Sequence, residues 1–595
     1  MTKILRFLKP YSLLVILGMA VLFGQALADL NLPNLMSDIV NKGMLQGDLP
    51  MIYKTGGKML LMALAGTACS IVASFFSARL AMGFGRDLRN AVFTKVENYS
   101  LHEYEKIGAA SLITRTTNDI TQIQTVLVMG FRFILYSPIM CIGGIIMALS
   151  KDKALAVILV VSLPLLLVIM GGMAALIVPT FMIIQKKIDQ LNLTLRESLT
   201  GIRVIRAFNR AEYERTRFVA ANRSLTDTAI RVNKIMAALM PIMTLIMNGT
   251  SLSILWFGGL RVSRMQMQIG DMMAFTQYAM QIMFSVLMVA VMFVMLPRAQ
   301  ASAIRINEVL DMVAEVTDPE FPQEAIAQNV TVELKTAPIS ADQDEPAKIA
   351  RLEFRDVSFA YPGAEQPVLK AISFESNAGE TTAIIGGTGS GKSTLVGLIP
   401  RFYDATEGAV LVDGLDTRAM TQAELRAKIG FVPQGAILFS GTVNENIRFG
   451  KDDATPGEIE HAARVAQAYD FISEMPEGFE TQIAQGGANV SGGQKQRLSI
   501  ARAVVRKPEI YIFDDSFSAL DFKTDAALRA ALKGEIAEAT VLIVAQRISS
   551  VMDADRIIVL DEGKIVGVGA HRELYQTCDI YREICASQLS EEELA

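Results

Sequence analysis

The first half of the chain is dominated by apolar stretches, each close to the roughly 20 residues that a helix needs to cross the hydrocarbon core of a bilayer. Six stand out, at residues 11–36, 55–81, 128–149, 154–179, 235–260 and 272–296. Their length predicts six membrane-spanning helices, and an even number returns the chain to the side on which it began. Residues 1–10, 86–125 and 185–234 carry most of the Lys and Arg, whereas the opposite loops around Lys42, Lys151 and Arg261 carry few. By the positive-inside rule, the basic segments and both termini face the cytoplasm. The basic start followed by an apolar run has the outline of a signal peptide. That run is long enough to span, however, and no obvious small-residue cleavage site follows it, which fits a retained first helix.

Composition divides the chain. A 51% hydrophobic average blends this apolar half with a second half of ordinary soluble character. The inner loops are longer than a turn requires and carry helix-like patterning, so the spans are expected to continue as cytoplasmic helices. Segments 110–119 and 199–212, mixed polar and apolar at the inward bends, are natural contact points for a cytoplasmic domain. Residues 1–315 thus form the membrane domain, and residues 316–350 lose periodicity and read as a linker. Strands and helices alternate over 351–587 as an α/β domain, and 588–595 is an acidic tail. A net charge of -5 gives no basic excess for nucleic acid. The four cysteines, Cys69, Cys141, Cys578 and Cys585, have no metal or disulfide spacing.

The stretch Gly386-Gly387-Thr388-Gly389-Ser390-Gly391-Lys392-Ser393 fits G-x-x-x-x-G-K-[ST] without a mismatch, after an apolar strand-like run and before a helix-like one. Glycines let successive backbone N–H groups turn onto a polyphosphate at a helix N-terminus, where the peptide dipoles favour anions. Lys392 adds a cation at the β/γ-phosphates, and Ser393 offers a hydroxyl to Mg²⁺.

Further motifs follow. Val490-Ser491-Gly492-Gly493-Gln494, the run 510–513 ending in Asp514, Gln434 after Val432-Pro433, and Ser518-Ala519-Leu520-Asp521 together closely resemble the ATP-binding-cassette (ABC) family, and the six preceding spans resemble its exporter half-transporters. The resemblance covers nearly the whole chain. It implies a six-helix α-helical transmembrane domain fused to a cytoplasmic α/β P-loop ATPase domain, with ATP and Mg²⁺ as ligands. Tyr361 would stack on adenine, and Gly386 to Ser393 with Thr394 would hold the phosphates. Ser393, Gln434 and Asp514 would serve Mg²⁺, directly or through water, and Gln434 is also a catalytic position that would touch Mg²⁺ or the attacking water and sense the membrane domain. Ser491, Gly492, Gly493 and Gln494, the signature, would cap the nucleotide held by an opposite subunit, with Asp521 at the same junction. A head-to-tail dimer follows.

Two positions depart from the family. Asp515 stands where the family has the Glu that polarises the attacking water, and Gln546 where it has a His near the γ-phosphate. Asp is one methylene shorter, and a displacement of about 1 Å costs on the order of 100-fold in rate; a neutral amide cannot become a cation. Residues 482–487, before the signature, are altered too. The signature, which acts in the other site, is nearly intact. That asymmetry implies one half of a heterodimer whose partner half-transporter supplies Glu and His. The resemblance further implies a plasma-membrane exporter of hydrophobic or amphipathic small molecules, multiple drugs first and lipid second, with an ATP-gated regulatory or channel-like subunit as the alternative from another class.

In the membrane half, many of the 31 Met fall between Met236 and Met295, suited either to varied apolar ligands or to ordinary packing. Gln277 and Gln281 are expected to share a face beside Tyr278. Asp29, near Asn31, Pro33 and Asn34, fits either an outer gate or a snorkelling group at a kink, the latter being preferred. Arg132 is expected to anchor the inner interface, and His571 to be structural.

Overall fold

The computed structural model describes residues 3–319 and 350–588. It divides into two compact units, residues 1–97 with 107–312, and residues 98–106 with 313–595. The expected linker at 316–350 and tail at 588–595 lie almost wholly outside the described residues.

Among the described residues, six helices of the first unit are long and apolar enough to cross a membrane. They are α1 (Ser12–Asp38), α2 (Leu49–Glu97), α3 (Ile120–Lys151), α4 (Ala156–Thr200), α5 (Ala211–Ser263) and α6 (Ile269–Asp311). The 53 residues of α5 extend about 80 Å at 1.5 Å per residue, well beyond a hydrocarbon core of about 30 Å. Pro33 does not interrupt α1, which continues to Asp38.

Within this unit α3 packs along α6, α1 along α2, and α4 along α5. Two glycines of α3 permit close approaches to α1 and α6. A Cβ on Gly143 would lie 2.4 Å from Leu30 Cδ1, and one on Gly144 would lie 2.7 Å from Ile282 Cγ1.

Polar groups in this unit find partners across helices. The Tyr136 hydroxyl donates to Asp29 Oδ2 at 2.6 Å, and Gln281 Nε2 to the Asp29 carbonyl at 3.4 Å. Asp29 therefore faces the helix bundle, against the preferred expectation of a snorkelling group. Gln277 is exposed while Gln281 is half-buried and Tyr278 fully buried, so the two amides do not share one environment. Arg132 leans on Ser70 at 3.5 Å beside a cavity of about 90 Å³, which adds an intrahelical-bundle contact to its expected anchoring. The methionines divide: Met243, Met283 and Met292 are buried, Met240 and Met265 exposed.

Three basic residues of the outer loops are paired. Lys42 meets Asp38 at 2.8 Å, Lys151 meets Asp271 at 2.9 Å and Arg261 meets Asp152 at 2.8 Å. At the inner bend, buried Asp119 accepts from Arg305 Nε at 2.8 Å and from Ser302 Oγ at 2.9 Å. Segment 110–119 is thereby tied to α6 of its own unit. The part of this bend that groups with the second unit is residues 98–106, where Glu105 accepts from the Tyr403 hydroxyl at 3.2 Å.

Among the described residues the second unit has nine strands of four residues or more: β1 (Ala350–Phe359), β2 (Leu369–Asn377), β3 (Thr381–Ile385), β4 (Glu407–Val412), β5 (Ile429–Val432), β6 (Ile510–Asp514), β7 (Thr540–Val544), β8 (Arg556–Asp561) and β9 (Lys564–Gly569). The central sheet has the order β9-β8-β3-β7-β6-β5, parallel except for the β8–β9 pair. Strands β3, β6 and β7 are buried almost throughout, as expected of parallel strands covered on both faces. An antiparallel sheet carries β2, β1 and β4.

Candidate functional site

Strand register explains why residues far apart in sequence meet. Val544 at the end of β7 pairs with Ile384 of β3 on one side and Asp514 of β6 on the other, while Val432 of β5 pairs with Phe513. The chain therefore leaves the carboxyl edge at four neighbouring places, toward Gly386, Asp515, Ala545 and Gln434. Ligands of open α/β sheets bind at that edge.

The first of these loops runs from Gly386 into helix α7 (Lys392–Leu398). A Cβ on Gly386 would lie 2.0 Å from the Leu560 carbonyl oxygen, and Gly391 has φ +100°, so close packing demands one glycine and backbone conformation the other. Gly387, Thr388 and Gly389 are exposed at the crest. Lys392 is buried, and its ammonium donates to the carbonyls of Gly386 and Gly387 at 2.9 and 2.7 Å. Burial pushes its pKa down, and the carboxylates of Asp515 and Asp514 pull it back up.

Among the described residues, Ser390 Oγ is buried without a hydrogen-bond partner. An orphaned hydroxyl inside a ring of glycines, above a cation that rests on the loop's own carbonyls, fits an anion of phosphate chemistry. Ser393 Oγ donates to Asp514 Oδ1 at 3.1 Å, so a hydroxyl and a carboxylate, both hard oxygen ligands suited to Mg²⁺, sit together beside that loop. Burial raises the Asp514 pKa, opposed by the Ser393 hydrogen bond. The Tyr361 hydroxyl is 3.0 Å from Thr394 Oγ1. Its ring packs edge-on against Phe359 and Tyr403 at 4.9 and 5.4 Å.

Asp515 is the geometric centre of the next group. Its Oδ2 accepts from Gln434 Nε2 at 3.3 Å and from Gln546 Nε2 at 3.2 Å. All three predicted side chains are thus brought together on one carboxylate oxygen. The residue has φ +47°, an unusual conformation for a residue with a Cβ. It is held by its own N–H on the Val544 carbonyl at 2.9 Å and by Ser518 Oγ on its carbonyl at 2.8 Å. Burial raises its pKa above the ordinary carboxyl value, against lowering by Gln434.

The signature lies on a separate element. Ser491 caps helix α8 (Gly492–Arg506) in a capping box with Gln494, Gly492 has open space about it, and Gly493 approaches the Ala519 carbonyl. Asp521 caps helix α9 (Phe522–Glu535) by accepting from the Thr524 N–H at 2.9 Å. His571, as expected of a structural residue, shares a 2.7 Å hydrogen bond between its Nδ1 and the Tyr581 hydroxyl. Sequence motifs did not point to Ser518 or Gln496 as supports of the Asp515 backbone, because each acts through a carbonyl that any residue would present.

Comparison with known proteins agrees with this architecture. A family model described as the ABC transporter transmembrane region matches residues 15–286, and one described as ABC transporter matches residues 369–518. An uncharacterized ABC transporter ATP-binding protein of Mycobacterium tuberculosis is 43% identical over 584 residues, covering 98% of this chain and 97% of its own. Another of Bacillus subtilis is 36% identical, covering 100% and 99%. A multidrug efflux ATP-binding/permease protein of M. tuberculosis is 32% identical over 88% of this chain and 42% of its own length. A bacterial Atm1-family ABC exporter with ATP bound superposes with a TM-score of 0.77 at 25% identity, covering 98% of each chain.

Proposed function

The chain belongs to the ABC transporter family, with a transmembrane region and an ABC ATPase domain in one polypeptide, and from that premise we propose that it is the slow-hydrolysing half of a heterodimeric exporter. Its own nucleotide site, formed by Lys392, Ser393, Asp514, Asp515, Gln434 and Gln546, holds ATP for long periods. Its signature, Ser491 to Gln494, completes the working site of a partner half-transporter that carries Glu and His at the positions of Asp515 and Gln546.

The observation that carries this reading is the double engagement of Asp515. Basicity is not what fails, since burial raises its pKa. Reach and occupancy are what fail: the side chain is one methylene shorter than Glu, and Oδ2 already accepts from two amides. A general base must be within hydrogen-bond reach of the proton that it removes. Gln546, being neutral, adds no cation at the γ-phosphate.

Binding residues are otherwise complete. Lys392 exchanges two carbonyls for phosphate oxygens, the buried Ser390 hydroxyl gains an acceptor, and Tyr361 offers a face to adenine. Ser393, Asp514 and Gln434 would hold Mg²⁺, which when bound supplies charge to the phosphates. Closure of the two cassettes drives outward movement of hydrophobic or amphipathic compounds, multiple drugs being favoured by the 32% identical multidrug efflux relative. The membrane is the plasma membrane, with both termini and the ATPase domain cytoplasmic.

The test is to purify the tagged chain from its native membrane, identify what copurifies stoichiometrically, and assay ATPase activity. A second half-transporter, with activity lost on mutating its Glu and surviving Asp515→Asn here, is the expected result. This chain alone, with brisk hydrolysis that depends on Asp515, would overturn the proposal.

A further inference from the structure

Helix α10 (His571–Thr577) and helix α11 (Asp579–Ala586) close the described chain. They are anchored in the core of this unit, with Tyr581 and Cys585 fully buried in one cluster with Ala545 and Ile548, and His571 hydrogen-bonded with the Tyr581 hydroxyl. Just past α11, Gln588 reaches the loop that follows β7. Its Nε2 donates to the Gln546 carbonyl at 2.8 Å, and its Oε1 accepts from the Ile548 N–H at 2.9 Å. One carboxamide thus brackets the two backbone groups on either side of Arg547. The same loop presents the Gln546 side chain to Asp515.

We propose that Gln588 is a positioning residue for the nucleotide site, setting the conformation of the loop that carries Gln546 and through it the Gln546–Asp515 contact. The residue type is specific to the task. Only an amide of this length both donates and accepts, as a peptide group does. Glu keeps the Ile548 bond and loses the donor, Asn is one methylene short, and Leu removes both bonds at similar size. Two neutral hydrogen bonds bias the loop toward this conformer by on the order of tenfold. The inference rests on the assignment of Gln546 to the switch position, though not on which subunit hydrolyses.

The experiment uses the full-length complex in lipid nanodiscs with 8-azido-ATP, whose label on this chain reports its own site. Release of the nucleotide from this chain is timed by chase before photolysis, for Gln588→Leu, Gln588→Glu, Gln546→Ala and the Gln588→Leu/Gln546→Ala double variant. We expect about tenfold faster release for Gln588→Leu and a smaller change for Gln588→Glu. The double variant should be no faster than Gln546→Ala alone, because both act through one contact. Melting temperatures unchanged within about 2 °C separate positioning from loss of fold. Release unaffected by Gln588→Leu, or effects that multiply in the double variant, would overturn the inference. Should ATP prove to be hydrolysed briskly through Asp515, the functional proposal falls. The same cycle, read on kcat with KM unchanged, still decides the role of Gln588.

Discussion

Two sets of buried charges in this chain are arranged in opposite ways. In the membrane unit, Asp119, Asp152 and Asp271 each face a cation, Arg305, Arg261 and Lys151, at 2.5 to 2.9 Å. In the nucleotide unit, Lys392 rests on carbonyl oxygens, Asp514 faces a serine and Asp515 faces two amides. The first arrangement is complete within the chain. The second is complete only when a polyanion and a cation arrive. Paired charges hold helices together, whereas charges left on neutral partners are available for chemistry.

The sharpest way to break this comparison is to remove the cation that waits for phosphate. Lys392→Ala is expected to weaken 8-azido-ATP labelling of this chain by on the order of 100-fold, with little change in melting temperature. Equal labelling would mean that the loop does not depend on its charge. Next in size is Asp119→Ala, which removes the carboxylate that accepts from Arg305 and Ser302 at the inner bend. Because Arg305 is half exposed, the expected cost is about 2 kcal/mol, measured as lost thermal stability with nucleotide labelling retained.

A pH series sharpens the contrast further. Burial lifts the Asp514 and Asp515 carboxyls above the ordinary range. A raised carboxyl contributes its stability fully below the unfolded value of about 3.9 and loses it as pH rises through the folded value. The nucleotide-free protein therefore carries an electrostatic penalty at neutral pH that Mg²⁺ and ATP relieve. The rise in melting temperature on adding Mg-ATP is expected to be larger at pH 7 than at pH 5, and a rise independent of pH would contradict it. Asp514→Asn should reduce this dependence, leaving the share of Asp515, and raise the nucleotide-free melting temperature by a few degrees. The smallest effect is reserved for Tyr136→Phe, which deletes one hydrogen bond to Asp29 and should cost about 1 kcal/mol.

Much of the nucleotide site was legible because its parts are local. The stretch from Gly386 to Ser393 needs one strand end, one turn and one helix start, all within a few residues. Gln434, Asp515 and Gln546 could be named from their motifs, but not their meeting on one oxygen atom. That meeting follows from the registers of β5, β6 and β7. Gln588 had no signal at all, since it works through backbone groups 40 residues away. In the membrane half the spans were legible from length and apolarity alone, while Asp29 was assigned the wrong surroundings. A side chain's direction around a helix depends on which neighbours pack against it, and Tyr136 lies 107 residues further on.

The sequence by itself determined that this chain crosses a membrane with six helices and carries a phosphate-binding loop, because each is written in one contiguous segment whose physics, apolar length or glycine conformation, is local. The tertiary structure alone decided which polar groups satisfy one another: Asp29 with Tyr136, Asp119 with Arg305, Asp515 with two amides, and Gln588 with the loop after β7. Those pairings are set by helix packing and strand register, which bring distant segments within hydrogen-bond distance and which no single segment encodes.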